Sequence, residues 1–245
     1  MTSRKTRVII ALSGLLVLAM PAFAQHHGRG YGHGRRYYPE NDQEFRIHLG
    51  AFQPDGDSEY WRDVERDFTG SVDDFENASF GLDYLLPLGN HLSLMFSGNV
   101  YEGDNTQAYR GFEDNFGDRI RHDTTLDIAS GTLGLVFHLT GPGAAVRPYL
   151  GAGGGAYAWQ LEESGDFIDF GSASRPIFSA TLQSDGVAFG YYGLLGLSAP
   201  ITPRLSIFAE GRWTEVDDDL SGDFEGFGKI DLSGREFAAG LSWRL

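Results

Sequence analysis

Connections alternate between tight and long along this chain, and that rhythm narrows the fold more than any other feature. From Phe45 to Leu245 eight strand-like runs can be marked. Turns near Leu86–Asn90, Thr140–Arg147 and Ala199–Arg204 join runs two to three, four to five and six to seven. The other four connections, Pro54–Glu76, Gly103–Asp123, Glu162–Asp185 and Val216–Asp231, are long, acidic and rich in Gly, Ser and Asp. In an up-and-down sheet with an even strand count, both chain ends lie on the tight-turn side. This is the layout of an all-β, eight-stranded antiparallel transmembrane β-barrel with long extracellular loops and short periplasmic turns.

Each run has two chemically distinct faces, because successive side chains on a strand point opposite ways. The first sets Phe45, Ile47, Leu49 and Ala51 against Arg46, His48 and Gly50, and the second sets Phe80, Leu82 and Tyr84 against Ser79, Gly81 and Asp83. The third sets Leu92, Leu94 and Phe96 against Ser93, Met95, Ser97 and Asn99, and the fourth Leu133, Leu135, Phe137 and Leu139 against Thr132, Gly134 and His138. The seventh and eighth continue the scheme, with Glu210, Arg212, Glu236 and Arg244 on the polar side. Runs five and six, Tyr149–Trp159 and Val187–Ala199, are crowded with Gly, Ala and aromatics, and their faces stay open. Glycines 151, 153, 154 and 155 mark close backbone approach or coiling of the sheet.

Alternation alone suits a soluble barrel with its apolar face inward as well as a membrane barrel with that face outward. Full charges on the polar face, and aromatics near strand ends (Phe45, Tyr84, Trp213, Trp243), favour the membrane form. The expected lumen then holds a charge network of Arg46, Asp83, Glu210, Arg212, Glu236 and Arg244. Its alternative is a charge ring lining a narrow pore. An eight-stranded interior is only just wide enough for side chains, which favours the filled form.

The start of the chain points the same way. Arg4, Lys5 and Arg7, then the apolar Val8–Met20 and Ala22-Phe23-Ala24, form a secretory leader over residues 1–24. Residues 25–43 (with His26, His27, His33, Arg29, Arg35 and Arg36 among glycines and tyrosines) read as a flexible periplasmic tail, and 44–245 as the barrel domain. The expected address is the outer membrane of a Gram-negative bacterium, with outer-membrane lipid and lipopolysaccharide as surroundings. There is no cysteine, so no disulfide or thiolate metal site exists. The whole chain carries −15, and loss of the three leader cations makes that about −18. Such a chain lacks the basic footprint that nucleic acid requires.

The chain stops inside its last strand. Gly240, Trp243 and Leu245 match the glycine and spaced hydrophobics of the C-terminal signal that outer-membrane barrels present to the barrel-assembly machinery. Ala238 and Leu245 depart from its commonest form, which prefers a polar and an aromatic residue there. With Arg46–Pro54 (RIHLGAFQP), Arg147–Gly155 (RPYLGAGGG), Phe208–Trp213 (FAEGRW) and Phe237–Leu241 (FAAGL), residues 44–245 resemble the small outer-membrane β-barrel family, the OmpW/OmpX-like eight-stranded barrels. The resemblance implies the fold and leaves the role open among pores for small molecules, adhesins, stress-linked surface proteins and proteins of unknown role.

Chemistry is sparsely signalled. His91-Leu-Ser93 has the His-x-Ser spacing of the family's lipid A deacylase, but no acid follows at a comparable distance on that face. The sequence therefore supports no catalytic residue, cofactor or fixed metal site. Asp55–Glu59 and Asp217–Asp219 offer oxygen ligands to a divalent cation without matching an EF-hand loop, and read first as solvated acids. Aromatics among the loop acids, including Tyr60, Trp61, Phe112, Phe116, Phe167, Phe170, Phe224 and Phe227, would fold the loops over the mouth or form a surface for an extracellular ligand. The reading is a structural or surface-interaction barrel with a filled lumen. The alternatives are a narrow channel for small or hydrophobic solutes and a lipid A-modifying enzyme.

Overall fold

The computed structural model describes residues 43–245. The expected leader, and the expected tail up to residue 42, lie outside the described residues. Eight long strands, β1 (Glu44–Pro54), β2 (Asn77–Pro87), β3 (Leu92–Glu113), β4 (Arg119–His138), β5 (Arg147–Ile168), β6 (Ile177–Pro200), β7 (Leu205–Glu215) and β10 (Gly234–Arg244), form one closed antiparallel barrel. Each pairs with its neighbour in the chain, and β1 closes on β10 from Glu44↔Arg244 to Pro54↔Gly234. Between β7 and β10 the chain forms a small hairpin of β8 (Asp217–Asp219) and β9 (Lys229–Asp231). The one α-helix among the described residues, α1 (Glu59–Asp67), follows β1.

The apolar face points outward. Leu133, Leu135, Phe137, Leu195 and Leu197 are between 44% and 56% exposed, whereas Arg46 and Asp83 are 0% and 2% exposed. In water such an exterior would be a large sticky patch, and in hydrocarbon it is at home. The barrel therefore spans a membrane. Its belt is bracketed by aromatics: Tyr84, Phe45 and Trp243 line up across β2, β1 and β10 at the tight-turn end, and Trp213 stands near the loop end of β7.

Strands β5 and β6 obey the same rule as the others. Tyr149, Tyr157, Trp159, Tyr192, Leu194 and Ser198 turn inward and are buried. The glycine run of β5 faces β4 at close range. A Cβ on Gly153 or Gly155 would lie 2.6 Å from the Cα of Gly134 or Thr132, so only hydrogen fits there.

Two of the four expected long loops are mostly strand. Residues 103–113 and 119–123 continue β3 and β4, residues 162–168 and 177–185 continue β5 and β6, and the true connections shrink to 114–118 and 169–176. The four strands β3–β6 thus rise past the rim as a wall. Their outward face turns polar at the row Glu102, Asp127, Gln160 and Asp185, where the lipid belt ends. Once lipid no longer demands apolar residues outside, both faces carry polar groups, and the alternation that identifies a strand fades.

The facing of the belt yields a direct test. Leu133→Arg places a guanidinium in the lipid belt of β4 and is expected to destabilise the barrel by about 2–4 kcal/mol. Equilibrium refolding into lipid vesicles measures that loss, and a neutral effect would mean that the exterior is not in hydrocarbon.

Candidate functional site: the lumen, its cap and the wall

Inward-pointing charges from opposite walls meet near the middle of the lumen. Asp83 of β2 stands 3.6 Å from His48 Nε2 on β1, and its Oδ1 accepts from Ser97 Oγ on β3 at 2.5 Å. Arg212 of β7 reaches across the barrel, donating through Nη1 to Ser97 Oγ (3.2 Å) and through Nη2 to Glu210 Oε1 (3.1 Å), with Asp83 Oδ1 at 3.9 Å. Tyr149 Oη donates to Glu210 Oε2 at 3.1 Å, while Ser79 Oγ and Asn99 Nδ2 both donate to Glu236 Oε1. Arg46 lies between the Tyr149 and Phe208 rings, its guanidinium carbon 5.0 and 4.9 Å from their centroids. Arg212 is similarly placed over Tyr192 at 4.9 Å. Ring faces attract the cations where hydrogen-bond partners are missing.

Of the six charges expected in the lumen, Asp83, Glu210 and Arg212 share direct contacts. Glu236 binds the neutral Ser79 and Asn99. Arg46 and Arg244 belong to a second cluster at the tight-turn end, centred on Glu44, a residue the sequence reading passed over. Glu44 sits at the first position of β1 and points inward like Arg46, and that parity is the signal that could have found it.

A second closure lies at the opposite mouth. Ser58 caps α1, its Oγ accepting from Trp61 N at 3.3 Å, with Glu59 in the first turn and Arg66 in the last, where the helix dipole favours each. Tyr60, Trp61 and Val64 fall on one face of the helix and are buried. They pack on Phe75, Leu126, Tyr157, Trp159, Leu161, Phe224, Ile230 and Leu232 to form an apolar plug. Trp61 is fully enclosed, and its indole N–H donates to Asp231 O at 3.0 Å, tying α1 to β9. Burial of such a side chain contributes roughly 1.5–3 kcal/mol. Between plug and charge network a void of about 40 Å³ remains, bordered by Asn99, Tyr101, Tyr157, Arg212 and Glu236. That is room for a few waters.

Three ionisable groups meet under the edge of the cap. Tyr60 Oη donates to Glu163 Oε1 on the upper part of β5 at 2.7 Å, and Glu163 Oε2 is 3.8 Å from His122 Nε2 on β4. The His122 ring is enclosed by Phe68, Tyr109 and Phe167. All three groups stand above the lipid belt. Burial pushes the His122 imidazole down to about 4 and the Glu163 carboxyl and Tyr60 phenol up.

Outside, the wall carries acids and hydroxyls in register. Glu102 faces Asp127, Asp104 faces Thr125 and Thr106 faces Asp123, and the rows continue through Gln160, Glu162 and Ser164 to Asp185, Gln183 and Thr181. At its top Phe112 and Phe170 pack edge to face, centroids 5.4 Å apart, with Arg175 beside both, and Phe116 is 92% exposed.

The remaining sequence candidates find other partners. Asp217 pairs with Lys229 at 2.5 Å, and Asp218 accepts from Trp159 Nε1 at 2.8 Å. Asp57 N donates to Asp231 Oδ2 at 3.1 Å. Among the described residues no three His, Asp or Glu side chains converge as metal ligands would. His91 and Ser93 do not pair with each other: His91 Nδ1 lies 2.7 Å from His138 O, and Ser93 Oγ 3.5 Å from His138 Nε2. Trp243 and Leu245 face outward, while Gly240 packs against Ile47 and His48 so closely that a Cβ has no space.

No family model and no curated relative matches this sequence. Among solved structures the chain is similar to the Ail attachment invasion locus protein of Yersinia pestis (17% identity, TM-score 0.44, covering 84% of this chain and 99% of that one). It is also similar to Neisserial surface protein A (14%, 0.45, covering 83% and 97%) and to outer membrane protein W of E. coli (13%, 0.43, covering 85% and 100%).

The cap should respond to acid. His122 has a folded pKa below its unfolded value of about 6.5, so its contribution is complete above that pH and is lost as pH falls toward 4. Glu163 acts in the opposite sense: its raised pKa favours the protonated form, so its contribution is present at low pH and lost as pH rises through the folded value. The protection of residues 59–67 against hydrogen exchange, taken relative to the intrinsic exchange rate at each pH, is expected to fall between pH 6.5 and 4. His122→Gln should flatten that fall and Glu163→Gln should steepen it. Exchange that ignores both substitutions would place the acid response elsewhere.

Proposed function

We propose that this protein is an outer-membrane barrel of a Gram-negative bacterium, exported by a cleaved leader, with a structural or surface-interaction role and no enzymatic one. The observation that carries the reading is the contrast between interior and wall. The lumen is filled twice, by the Asp83–Arg212–Glu210 charges and by the α1 plug, while β3–β6 stand at least roughly 25 Å of strand clear of the lipid belt. A transport path would require both fillings to move. An interaction surface requires neither, and the wall already presents ordered acids and hydroxyls with an aromatic tip. In this reading the six lumen charges hold the interior together, and Gly240, Trp243 and Leu245 are the signal read by the assembly machinery. Lipopolysaccharide surrounds the foot of the wall.

Two measurements test it. The refolded protein in planar bilayers is expected to show no discrete channel events, and regular single-channel steps would replace this reading with the pore. Cells displaying the barrel are expected to bind at least one surface in a panel coated with glycans or extracellular-matrix proteins. Phe116→Ser with Phe170→Ser should abolish that binding without changing barrel abundance. Equal retention of wild type, variant and barrel-free cells on every surface would remove the interaction role.

A further inference from the structure

We propose that the tight-turn mouth of the barrel is an oxyanion site, which takes a phosphate or carboxylate group against Arg147, Arg244 and His138. The site is remote from the cap and the wall, and it depends on the function proposed above only for the compartment it faces.

The charge arrangement at this end is unbalanced. The Glu44 carboxylate is approached by Arg147 Nη1 at 3.3 Å, Arg46 Nη2 at 3.5 Å and Arg244 Nε at 3.9 Å, and it also accepts from Ser242 Oγ at 3.0 Å. At the mouth itself one carboxylate serves two guanidinium groups, Arg147 and Arg244, because Arg46 lies further up and is shared with Asp83 and Glu210. Asp83 and Glu210, further up the lumen, are engaged with His48, Arg212 and Tyr149. The turns at residues 88–91, 139–146 and 201–204 contain no Asp or Glu. Among the described side chains an excess of positive charge therefore gathers at this mouth of an otherwise acidic protein.

Donors are left over in the same place. Arg147 and His138 are 7% and 3% exposed, and Arg147 Nε and His138 Nδ1 have no partner. In the tautomer in which Ser93 Oγ donates to His138 Nε2 across 3.5 Å, the ring proton sits on Nδ1 and meets no acceptor. Buried N–H groups without an acceptor are rare, and each costs about 1–3 kcal/mol. Both side chains border a cavity of about 40 Å³, shared with Glu44, Asn90, Ser93 and Arg244. Guanidinium, imidazole and amide donors around a small space are the recognition chemistry of a compact oxyanion, and the fork of an arginine fits two of its oxygens at once.

The test follows the His138 imidazole by NMR in the refolded chain, with its signal assigned by its absence from His138→Gln. Sodium phosphate, sodium acetate and dihexanoylphosphatidylglycerol are titrated separately at fixed ionic strength, against sodium chloride. The expected result is a saturable shift with phosphate or acetate and none with chloride. A matching response to the short-chain lipid assigns the natural ligand to a headgroup, and no response to it assigns a free solute. Arg147→Gln should weaken half-saturation by roughly tenfold or more. Arg204→Gln, exposed at the same end, should leave it within about twofold. If Arg147→Gln does not refold, Arg244→Gln at the rim replaces it, and the wild-type comparison with chloride needs no variant. A shift that never saturates, that chloride reproduces, or that survives both arginine substitutions would overturn the site. Channel steps or failed surface binding would leave this result untouched.

Discussion

Hydrocarbon offers no hydrogen-bond partner to a backbone amide, and the architecture of this chain follows from that. An open sheet edge in lipid would leave a row of N–H and C=O groups unsatisfied at several kcal/mol each, so β1 must find β10. Their register runs unbroken for the full length of both strands. Closure makes one face of every strand an exterior and the other an interior, and lipid then sorts the side chains. Leu133, Leu135 and Phe137 go out, and Thr132, Val136 and His138 go in.

A closed ring of eight strands has little interior to spare, and the chain fills it with residues of matched size. His48 lies over Gly81, and Tyr149 over Gly196, so closely that a Cβ at either glycine would overlap the ring. These large inward rings therefore depend on small partners on the neighbouring strand. At the loop-end mouth a segment from outside the sheet completes the packing. Trp61 and Tyr60 of α1 meet Trp159, Leu161 and Ile230 there. The plug also covers inward faces of the wall strands that would otherwise expose Leu126 and Leu161 to water.

Legibility in the sequence followed the strength of the solvent contrast. Within lipid, the difference between Leu92, Leu94, Phe96 and Ser93, Ser97 is large, and the strands, tight turns and closure could be read directly. In β5 and β6 the contrast is blurred, because Tyr157, Trp159 and Tyr192 are aromatics that point inward while Ala152, Gly154 and Gly193 point outward. Above the rim both wall faces are polar, and segments such as Asp104–Gln107 read as loop although they are ladder. Helix α1 had its own signals: Ser58 as N-cap, Glu59 in the first turn, and Tyr60, Trp61 and Val64 on one face. Two turns of helix amid nine loop acids carry too little periodicity to stand out. Contacts across the lumen, such as Arg212 with Ser97, were beyond any local pattern, since they join residues 115 positions apart.

The lumen charges also answer a question of uniqueness. Strand pairing by itself tolerates a shift of one residue, which would exchange the two faces of a strand. If the interior were as apolar as the exterior, such a shift would change little. With Arg46, Asp83, Glu210, Arg212 and Glu236 inside, a slip of β1, β2, β7 or β10 would move at least one charge into lipid, at about 2–4 kcal/mol near the midplane. It would also strip that charge of its partner in the lumen. Buried ion pairs often add little net stability compared with well-packed apolar groups, so stability alone is a weak reason to place them here. Their stronger effect is on the alternatives, because each makes the wrong register worse than it makes the right one better. The charges are spread over both strands that close the barrel and over both of their neighbours. That is where a mispaired register would do most harm, since the β1–β10 seam joins the two ends of the sheet and no short turn sets its alignment.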